Sequence, residues 1–333
     1  MHTPLDEVMA LMMKALSQRG IVGEQAEFIV HDYIDAELEG KPTHGIGKFL
    51  LIDHVLDGRQ GPAELISQIG SFATMDGHRE IGQIAARSAS LEAVRIAVHQ
   101  GVGLVTLKNF SRFGRLGPYS RLIAANGMVG IVLNNAGPAA VAPYGSRNPI
   151  LGTNPIAFGF PAANAPVVID FATSKRVWGE IRQAALSQSP LPPSSFLDSE
   201  GDETVEPAMA NAVLPFGDHK GSALCLAIEL LAGTLVGAAM GGSVQDEYEL
   251  GAVFVAIRPA DNTSAPVTAL LQEIAESMPL EGIHHVRVPG QRSSQVREER
   301  LRQGWIDVAD STYEILLAMS EGCVGLKANN LSN

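Results

Sequence analysis

Hydrophobic residues near the start of the chain recur with helical spacing. They repeat every three or four positions from Leu5 to Leu16 and again from Ala26 to Leu38, with Gly20 and Gly23 between the two runs. This pattern predicts two helices, and a third is expected over residues 47–56. A further amphipathic helix is predicted over residues 82–99.

The spacing changes in the middle of the chain. Short runs rich in β-branched residues and bounded by Gly, Pro or Asn predict strands, at residues 103–108, 129–134, 156–160, 167–170 and 251–258. Longer apolar runs predict helices at residues 220–239 and 267–278. Near the end of the chain, residues 286–290 predict a strand that enters a turn, followed by helices over 293–303 and 307–320.

Helices at both ends of the chain around a mixed middle predict an α+β fold. We expect residues 1–70 and 280–333 to form one discontinuous helical domain, and residues 71–279 to form a mixed α/β domain. The dinucleotide-binding pattern G-x-G-x-x-G occurs nowhere in the chain. The mixed sheet of the middle domain is therefore predicted to be non-Rossmann.

Composition narrows the class of protein. The chain has 333 residues, 46% of them hydrophobic, and a net charge of -12, which suits a globular enzyme and disfavours nucleic acid or an anionic membrane as partner. The N-terminus lacks the basic and then apolar pattern of a secretory signal, so we expect a cytoplasmic protein. Residues 223–240 form an apolar run in which Cys225 is predicted to be a buried thiol and Glu229 favours a buried helix over a membrane span.

The segment Thr43-His44-Gly45, with Lys48 shortly after it, contains candidate acid–base chemistry. An imidazole titrates near neutrality, at a pKa of about 6.5, so His44 can hold and release a proton at working pH. Thr43 could orient the ring, and Lys48 could pair with a substrate carboxylate. The plainer interpretation is a capped helix start with a histidine on the surface.

Glycine-containing turns with cations occur at three places. Residues 108–119 follow a strand and enter a helix, and Arg112 and Arg115 there could meet phosphates, although solvated arginines on an ordinary turn are the alternative. His219 and Lys220 open the long apolar helix, where backbone N–H groups favour anions. Arg292 lies in a weaker turn of the same kind.

Small polar and acidic residues add further candidates. Thr153 and Asn154 immediately precede a strand, where they could contact a substrate or a cofactor. Glu180 could polarise His44, or it could equally be an exposed glutamate of a helix. The histidines are scattered without metal-ligand spacing, so no metal site is expected. No G-x-S-x-G pattern supports a serine hydrolase.

Taken in order, these segments resemble the malate/L-lactate dehydrogenase type 2 family of NAD(P)-dependent oxidoreductases. That family includes ureidoglycolate and sulfolactate dehydrogenases and cyclic imino-acid reductases. The likeness covers nearly the whole chain, and the matching segments are residues 40–45, 76–83, 101–109, 152–155, 170–174, 219–221 and 289–292. The resemblance implies a homodimer that binds NAD or NADP in the domain of residues 71–279 and acts on a small-molecule carboxylate.

The resemblance also implies roles for individual residues. His44 is implied as the proton donor, with the Thr43 hydroxyl beside it. Lys48 and Thr153 are implied as substrate contacts, and Glu180 as the acid that relays charge to the histidine in imino-acid reductases. The residues implied to contact the cofactor are Arg112, Phe113, Gly114, Arg115, Leu116, Asp170, Phe171, Ala172, Trp178, Gly179, His219, Lys220, Gly290 and Arg292.

Three positions depart from the family pattern. Arg112 stands where the family often has histidine, which puts the cofactor contacts there in question. Lys48 replaces a common arginine, so it keeps the charge but loses the bidentate fork. Thr43 replaces serine and retains the hydroxyl.

The hypothesis is hydride transfer between NAD(P)H and C2 of a small 2-oxo acid, with His44 protonating the oxygen. One alternative is reduction of a cyclic imine such as Δ1-pyrroline-2-carboxylate or Δ1-piperideine-2-carboxylate, and a second is a non-catalytic cofactor-binding protein on the same fold. The choice between NAD and NADP stays open at this stage.

Overall fold

The structure, a computed structural model, describes residues 1–325 of the chain, with the side chain of Leu186 excepted. The α-helices of this described part are α1 Leu5–Ser17, α2 Gly23–Leu38, α3 Ile46–Phe49, α4 Ile52–Asp57, α5 Gly82–Gln100, α6 Gly117–Ala125, α7 Gly179–Ser187, α8 His219–Val236, α9 Ser264–Glu276, α10 Gln291–Gln303 and α11 Asp310–Ser320. The strands are β1 His2–Pro4, β2 Glu64–Ile69, β3 Phe72–Glu80, β4 Val102–Phe110, β5 Val129–Asn134, β6 Ile156–Phe160, β7 Val167–Phe171, β8 Phe196–Leu197, β9 Ala212–Val213, β10 Gly251–Ile257 and β11 Trp305–Asp307.

The chain folds into two compact units. The first unit contains Met1–Gln60, Glu80–Ile84 and the described chain from Thr268 onward. The second unit contains Gly61–Arg79 and Ala85–Val267. Residues 326–333, which belong to the predicted helical domain, lie outside the described residues.

The first unit is built from helices whose apolar stripes meet. α1 packs against α2 and α11, α2 packs against α10, and the short strands β1 and β11 pair antiparallel. Its core includes Val8, Met12 and Leu16 of α1, which are completely buried. Tyr33 of α2 meets Phe49 of α3 edge to face, with ring centroids 5.7 Å apart. The helices predicted over the first forty residues are confirmed, because their helical spacing is the stripe that the core buries.

The second unit is organised around a seven-stranded sheet with the order β2-β3-β4-β10-β5-β6-β7. The pairs β2–β3, β4–β10, β10–β5, β5–β6 and β6–β7 are antiparallel. In β10 the first four residues are all buried, since both faces of this central strand are covered. Successive side chains of a strand point to opposite faces, so Val253 and Phe254 contribute to different layers.

Helices cover both faces of this sheet. Ile228 and Ala232 of α8 pack against Val253 and the neighbouring strands. On the other face, Tyr119 of α6 meets Phe254 at 6.4 Å between ring centroids. The predicted burial of Cys225 is confirmed, and burial raises the pKa of its thiol to about 11. Within residues 1–325, α8 alone is long and apolar enough to cross a membrane by length and composition, a property that core helices share.

Two sequence predictions need correction. The helix expected over residues 47–56 is two short helices, because α3 ends at Phe49 and α4 begins at Ile52. The strand expected at residues 286–290 is wrong: this segment has no regular structure, and it turns at Gly290, whose φ is +81°. β-branched residues such as Val286 and Val288 favour a strand only where a neighbouring strand can pair with them, and none does so here among the described residues.

Candidate active site

The Thr43–His44 segment forms a single tight turn in the first unit. Residues Pro42–His44 make one turn of 3₁₀ helix, and the His44 backbone N–H donates to the carbonyl of Lys41 at 3.0 Å. α3 follows directly and carries Lys48. Thr43 and His44 are half-buried and Lys48 is exposed. The turn therefore presents an imidazole and an ammonium from adjacent pieces of backbone.

A carboxylate from α2 fixes this turn. Glu37 Oε1 accepts a hydrogen bond from the backbone N–H of Ile46 at 2.8 Å. A Cβ at Gly45 would lie 2.0 Å from the same oxygen, so a larger residue there would displace the Glu37 carboxylate. Burial raises the pKa of Glu37, while the Ile46 N–H and the Arg300 guanidinium act in the opposite direction.

Sequence reasoning missed Glu37, although the pattern contained a signal. Val30, Tyr33 and Ile34 occupy the buried stripe of α2, and position 37 falls on the same stripe at helical spacing. An acidic residue at a position where the spacing calls for an apolar one indicates a carboxylate with buried partners.

In the second unit, the segment from Arg112 to Leu116 has alternating burial. Arg112 and Gly114 are exposed, whereas Phe113 and Leu116 lie in the core and Arg115 is only 6% exposed. Of the five residues predicted to contact a cofactor here, two therefore face solvent and three are buried. Arg112 lies 3.3 Å from a carboxylate oxygen of Glu247.

Both ends of this segment are fixed. The Tyr119 hydroxyl donates to the Phe113 carbonyl at 3.0 Å, and Asp170 Oδ2 accepts from the Gly117 backbone N–H at 2.8 Å. The Asp170 carboxylate thus holds the start of α6. Because Asp170 and the residues before α6 were both predicted as cofactor contacts, this bond brings two predicted segments together.

The Thr153–Asn154 loop is held by hydrogen bonds in several directions. Asn154 adopts a left-handed φ of +33°, and its side-chain oxygen accepts from the Ala136 N–H at 3.1 Å. Its amide nitrogen donates to the Cys225 carbonyl at 3.0 Å. The backbone N–H and the hydroxyl of Thr173 each donate to the Thr153 carbonyl at 3.0 Å. Thr153 itself stays half-buried.

The buried Glu229 side chain of α8 holds the Thr153–Asn154 loop through hydrogen bonds. It is 3% exposed, and its Oε2 accepts from the Asn154 amide at 2.6 Å. Its Oε1 accepts from the Gly241 backbone N–H at 2.8 Å and from the Asn135 amide at 3.5 Å. These donors are neutral amides, and together they satisfy the buried carboxylate. Glu229 is the one charged residue in the apolar run of residues 223–240, which was its signal in the sequence.

The residues after β7 meet the start of α8. Phe171 and Phe216 pack edge to face with ring centroids 5.8 Å apart, and the Phe216 N–H donates to the Thr173 carbonyl at 3.0 Å. Asp218, immediately before α8, lies 3.9 Å from the ammonium of Lys175. These contacts place the predicted residues Phe171 and Ala172 beside the segment that leads to His219 and Lys220, which are both exposed.

Trp178 immediately precedes α7, and Gly179 and Glu180 are its first two residues. Trp178 and Gly179 are exposed. Glu180 pairs with Arg176 at 3.7 Å, and one of its oxygens accepts from the Val177 N–H at 3.4 Å. The carboxylate is thus occupied at the start of its own helix, and its role toward His44 stays a prediction.

The predicted residues divide between the two units. Thr43, His44, Lys48, Gly290 and Arg292 belong to the first unit, where Gly290 precedes α10 and Arg292 is exposed. The remaining predicted residues belong to the second unit, where hydrogen bonds link Asp170 to the start of α6 and Thr173 to the Thr153 carbonyl.

The exposed residues of the second unit suit a dinucleotide. Arg112 and Lys220 offer positive charge to phosphates, while Phe171 and Trp178 offer exposed aromatic faces to planar rings. The donor set therefore fits a nicotinamide cofactor. Among residues 1–325, no group of three or more His, Cys, Asp or Glu side chains is arranged to hold a metal ion.

Comparison with known proteins agrees on one family. The family model described as malate/L-lactate dehydrogenase matches residues 3–317. L-sulfolactate dehydrogenase of Methanothermobacter thermautotrophicus is 33% identical over 332 residues, covering 95% of each chain. A Δ1-pyrroline-2-carboxylate/Δ1-piperideine-2-carboxylate reductase of Pseudomonas putida is 28% identical, covering 91% of this chain and 92% of that protein.

A solved structure extends the likeness to three dimensions. Sulfolactate dehydrogenase from Methanocaldococcus jannaschii superposes with a TM-score of 0.87 at 30% identity, covering 100% of this chain and 98% of that one. The predicted mixture of helices and sheet is confirmed at the level of a mixed α/β fold shared with dehydrogenases.

Proposed function

The chain belongs to the malate/L-lactate dehydrogenase family, and from that membership we propose that it is an NAD(P)-dependent oxidoreductase. It transfers a hydride between nicotinamide and C2 of a small 2-oxo or 2-hydroxy acid. The observation that carries this proposal is the family match over residues 3–317, a range that includes every residue of the candidate site.

The chain's own residues supply the proton and the substrate contacts. His44 protonates the oxygen that develops negative charge during reduction, since an imidazolium is a strong donor at neutral pH. Lys48 pairs with the substrate carboxylate as a point charge without the fork of an arginine. Thr153 contacts the substrate from a loop whose backbone cannot shift easily. The nicotinamide cofactor, when bound, supplies the hydride.

We propose that the second unit holds the cofactor without a Rossmann fold. The antiparallel strand pairs and the absence of a G-x-G-x-x-G turn support this. Arg112 and Lys220 bind phosphate oxygens, and Asp170 holds the loop that carries Arg112. The helical domain of residues 1–70 and 280–333, the cytoplasmic location and the homodimer belong to the same proposal.

Reduction of a cyclic imine is the second candidate. The observation that favours it is Glu180, together with the similarity to a Δ1-pyrroline-2-carboxylate/Δ1-piperideine-2-carboxylate reductase. In this version the Glu180 carboxylate assists the proton donor. Glu180→Gln should then reduce imine turnover much more than oxo-acid turnover. If Glu180→Gln reduced imine turnover and oxo-acid turnover equally, Glu180 would have no specific role in imine reduction.

The test is oxidation of NADH and of NADPH, followed by absorbance, against a substrate panel. The panel contains pyruvate, oxaloacetate, 2-oxoglutarate, sulfopyruvate, 2,3-diketogulonate and the two cyclic imines. Turnover of an open-chain oxo acid supports the dehydrogenase, and turnover of the imines alone supports the reductase. Cofactor binding without turnover of any substrate would contradict both and favour a non-catalytic protein on this fold.

A further inference from the structure

A small cavity in the second unit lies next to the loop that contains Thr153. Its volume is about 100 Å³, and it is lined by Arg112, Gly137, Pro138 and residues 244–247. The neighbouring loop reaches the same stretch of chain, because the Asn154 side-chain oxygen accepts from the backbone N–H of Ala136 at 3.1 Å. One water takes about 30 Å³ of liquid, so this space, the Arg112 cavity, has room for a group of a few heavy atoms.

The walls of the Arg112 cavity are held to that loop by hydrogen bonds. Glu229 accepts from the Asn154 amide at 2.6 Å and from the backbone N–H of Gly241 at 2.8 Å. The Asn135 amide donates to the Ala239 carbonyl at 2.8 Å. These bonds connect the loop to both chain segments that form the cavity wall. The shape of the cavity is therefore set by buried hydrogen bonds of the second unit.

The cavity wall carries more acid than base. Of the lining residues, Arg112 is a cation, whereas Asp246 and Glu247 are acids. The Glu247 side chain is only 14% exposed, and its Oε2 lies 3.3 Å from Arg112 Nε. A carboxylate withdrawn from water is stabilised by a nearby cation, so Glu247 engages the Arg112 guanidinium. The positive charge that Arg112 offers to a ligand in the cavity is thereby reduced.

The backbone that carries Glu247 is fixed on both sides. Residues Glu247–Glu249 form one turn of 3₁₀ helix, and the Asp246 side chain accepts from the Tyr248 N–H at 3.2 Å. In return, Glu249 Oε2 accepts from the Asp246 N–H at 3.2 Å. This reciprocal cap satisfies the first N–H groups of the turn. Glu247 is therefore presented to Arg112 from a defined position.

These charges decide which substrate side chain suits the cavity. The proposed substrate has a carboxylate beside C2 and a side chain that differs from one acid to another. Since Thr153 contacts the substrate in that proposal, the Arg112 cavity offers a place for the side chain. A second carboxylate or a sulfonate there would meet two acids and an arginine that already has a partner, and like charges a few ångströms apart repel. An amide or a hydroxyl carries no charge and can use both donors and acceptors.

We propose that Glu247 is a specificity-determining residue that selects against a second acid group, so that the substrate is a 2-oxo acid with a single negative charge. This inference rests on the proposed function and names the substrate class within it. Arg112 also belongs to the segment proposed to bind the cofactor. An effect of Glu247 on the additional phosphate of NADPH is therefore the competing outcome of the test.

The experiment compares kcat/KM of the full chain for two substrates of the same shape at saturating cofactor. They are oxaloacetate and 2-oxosuccinamate, in which an amide replaces the second carboxylate. Wild type should prefer the amide at least about tenfold. Glu247→Gln should lower this amide-to-acid ratio at least about tenfold, because the released Arg112 can pair with the second carboxylate.

The matched control is Glu200→Gln. Glu200 lies 3.6 Å from Arg147 in the same unit, and both side chains are exposed. The control therefore removes the acid of another arginine pair outside the cavity. Because exposed pairs contribute little, the amide-to-acid ratio should stay within about twofold of wild type.

A double variant tests the cause of the gain with oxaloacetate. Arg112→Gln/Glu247→Gln lacks the released guanidinium, so its amide-to-acid ratio should lie at least about threefold above that of Glu247→Gln. A double variant that keeps the full gain would overturn the proposal. Thermal unfolding shows whether each variant is folded, and the wild-type preference can contradict the proposal even if a variant does not fold.

Three further results would overturn the proposal. They are a wild type that prefers oxaloacetate, an unchanged ratio in Glu247→Gln, and a Glu247→Gln variant that lowers KM for NADPH relative to NADH while the substrate ratio stays the same. The last result would assign Glu247 to the cofactor.

A binding measurement separates this inference from the proposed function. Malonate, an inert dicarboxylate, should bind Glu247→Gln at least about tenfold more tightly than wild type in calorimetry, without any turnover. Equal malonate affinities would contradict the inference whatever the activity. If the variant gains malonate binding but wild type turns over no member of the substrate panel, the proposed function fails and the role of Glu247 stands.

Discussion

The turn at His44 in the first unit and the loop at Thr153 in the second are held by the same device. In each case a glutamate from a neighbouring helix accepts a hydrogen bond from the segment, Glu37 from the Ile46 backbone N–H and Glu229 from the Asn154 side-chain amide. Each segment also contains a glycine whose missing Cβ makes room, Gly45 and Gly152, at 2.0 Å and 2.2 Å from the nearest atom that a Cβ would meet.

The two anchors differ in their surroundings. Glu229 is surrounded by neutral amide donors from three separate segments, including Asn135 and Asn154. Glu37 has one backbone donor and a nearby guanidinium, Arg300, and burial raises its pKa. The Glu37 carboxylate that contacts the His44 turn can rotate, whereas the Thr153 loop is held by a network of buried amides. We expect the second to be the more rigid of the two, and the following predictions test that difference.

The largest effect should come from the proton donor itself. His44→Ala should lower kcat by about two to four orders of magnitude, because general acid catalysis contributes that much. His31→Ala is the control, since His31 is an exposed histidine of α2 in the same unit. Steady-state kinetics on the preferred substrate checks both variants. An undiminished kcat for His44→Ala would show that His44 is not the proton donor.

Replacing Gly152 and Gly45 by alanine should show which of the two segments is rigidly packed and which can adjust. At Gly152 an added Cβ meets the Ala136 carbonyl at 2.2 Å, which is backbone, so Gly152→Ala should lower the free energy of unfolding by about 3 kcal/mol. At Gly45 it meets Glu37, which can move at the loss of about one hydrogen bond, or about 1 kcal/mol.

Urea unfolding measures both glycine variants. Gly47→Ala is the control, because Gly47 of α3 has open space around it. An equal loss in the free energy of unfolding for alanine at Gly45 and at Gly152 would contradict a difference in rigidity between the His44 turn and the Thr153 loop.

Glu229→Gln should disturb the network that holds Thr153. A glutamine has one carbonyl oxygen for donors that now bind two carboxylate oxygens, so at least one N–H must face its amide group. We expect a loss of about 1–3 kcal/mol in the free energy of unfolding and a raised KM for the substrate. Glu298→Gln on exposed α10 controls for the charge change. A lower stability with unchanged KM would limit Glu229 to a structural role.

The smallest effect should be a pH dependence from Glu37. The folded protein holds the Glu37 proton more tightly than the unfolded chain, so this group's contribution to stability falls as pH rises from its ordinary pKa of 4.5 through the raised value. Glu37→Gln has no such proton. The difference in Tm, variant minus wild type, should therefore increase between about pH 4 and about pH 8. A constant difference would show that Glu37 does not titrate in this range.

Local pattern predicted the helices well and the sheet less completely. α1 and α2 follow from apolar spacing alone, because a helix buries a stripe that its own sequence repeats. β2 was missed because all six of its residues are exposed, so its sequence shows no alternation. β1 and β11 are three residues each and pair across almost the whole chain, and no local pattern marks so short a strand.

For the candidate site as well, one part could be predicted from the sequence and another part was decided by the tertiary structure. The family segments were recognisable because their residue types and order are properties of the chain itself, and the family match over residues 3–317 confirms that recognition. Which side chains hold those segments was decided by the tertiary structure. Glu229 meets donors 75 and 94 residues away in sequence, at Asn154 and Asn135. Contacts between residues so far apart in the sequence exist only after the sheet and α8 have packed. The sequence therefore determined which residue types make up the candidate site, and the fold determined which side chains hold them in place.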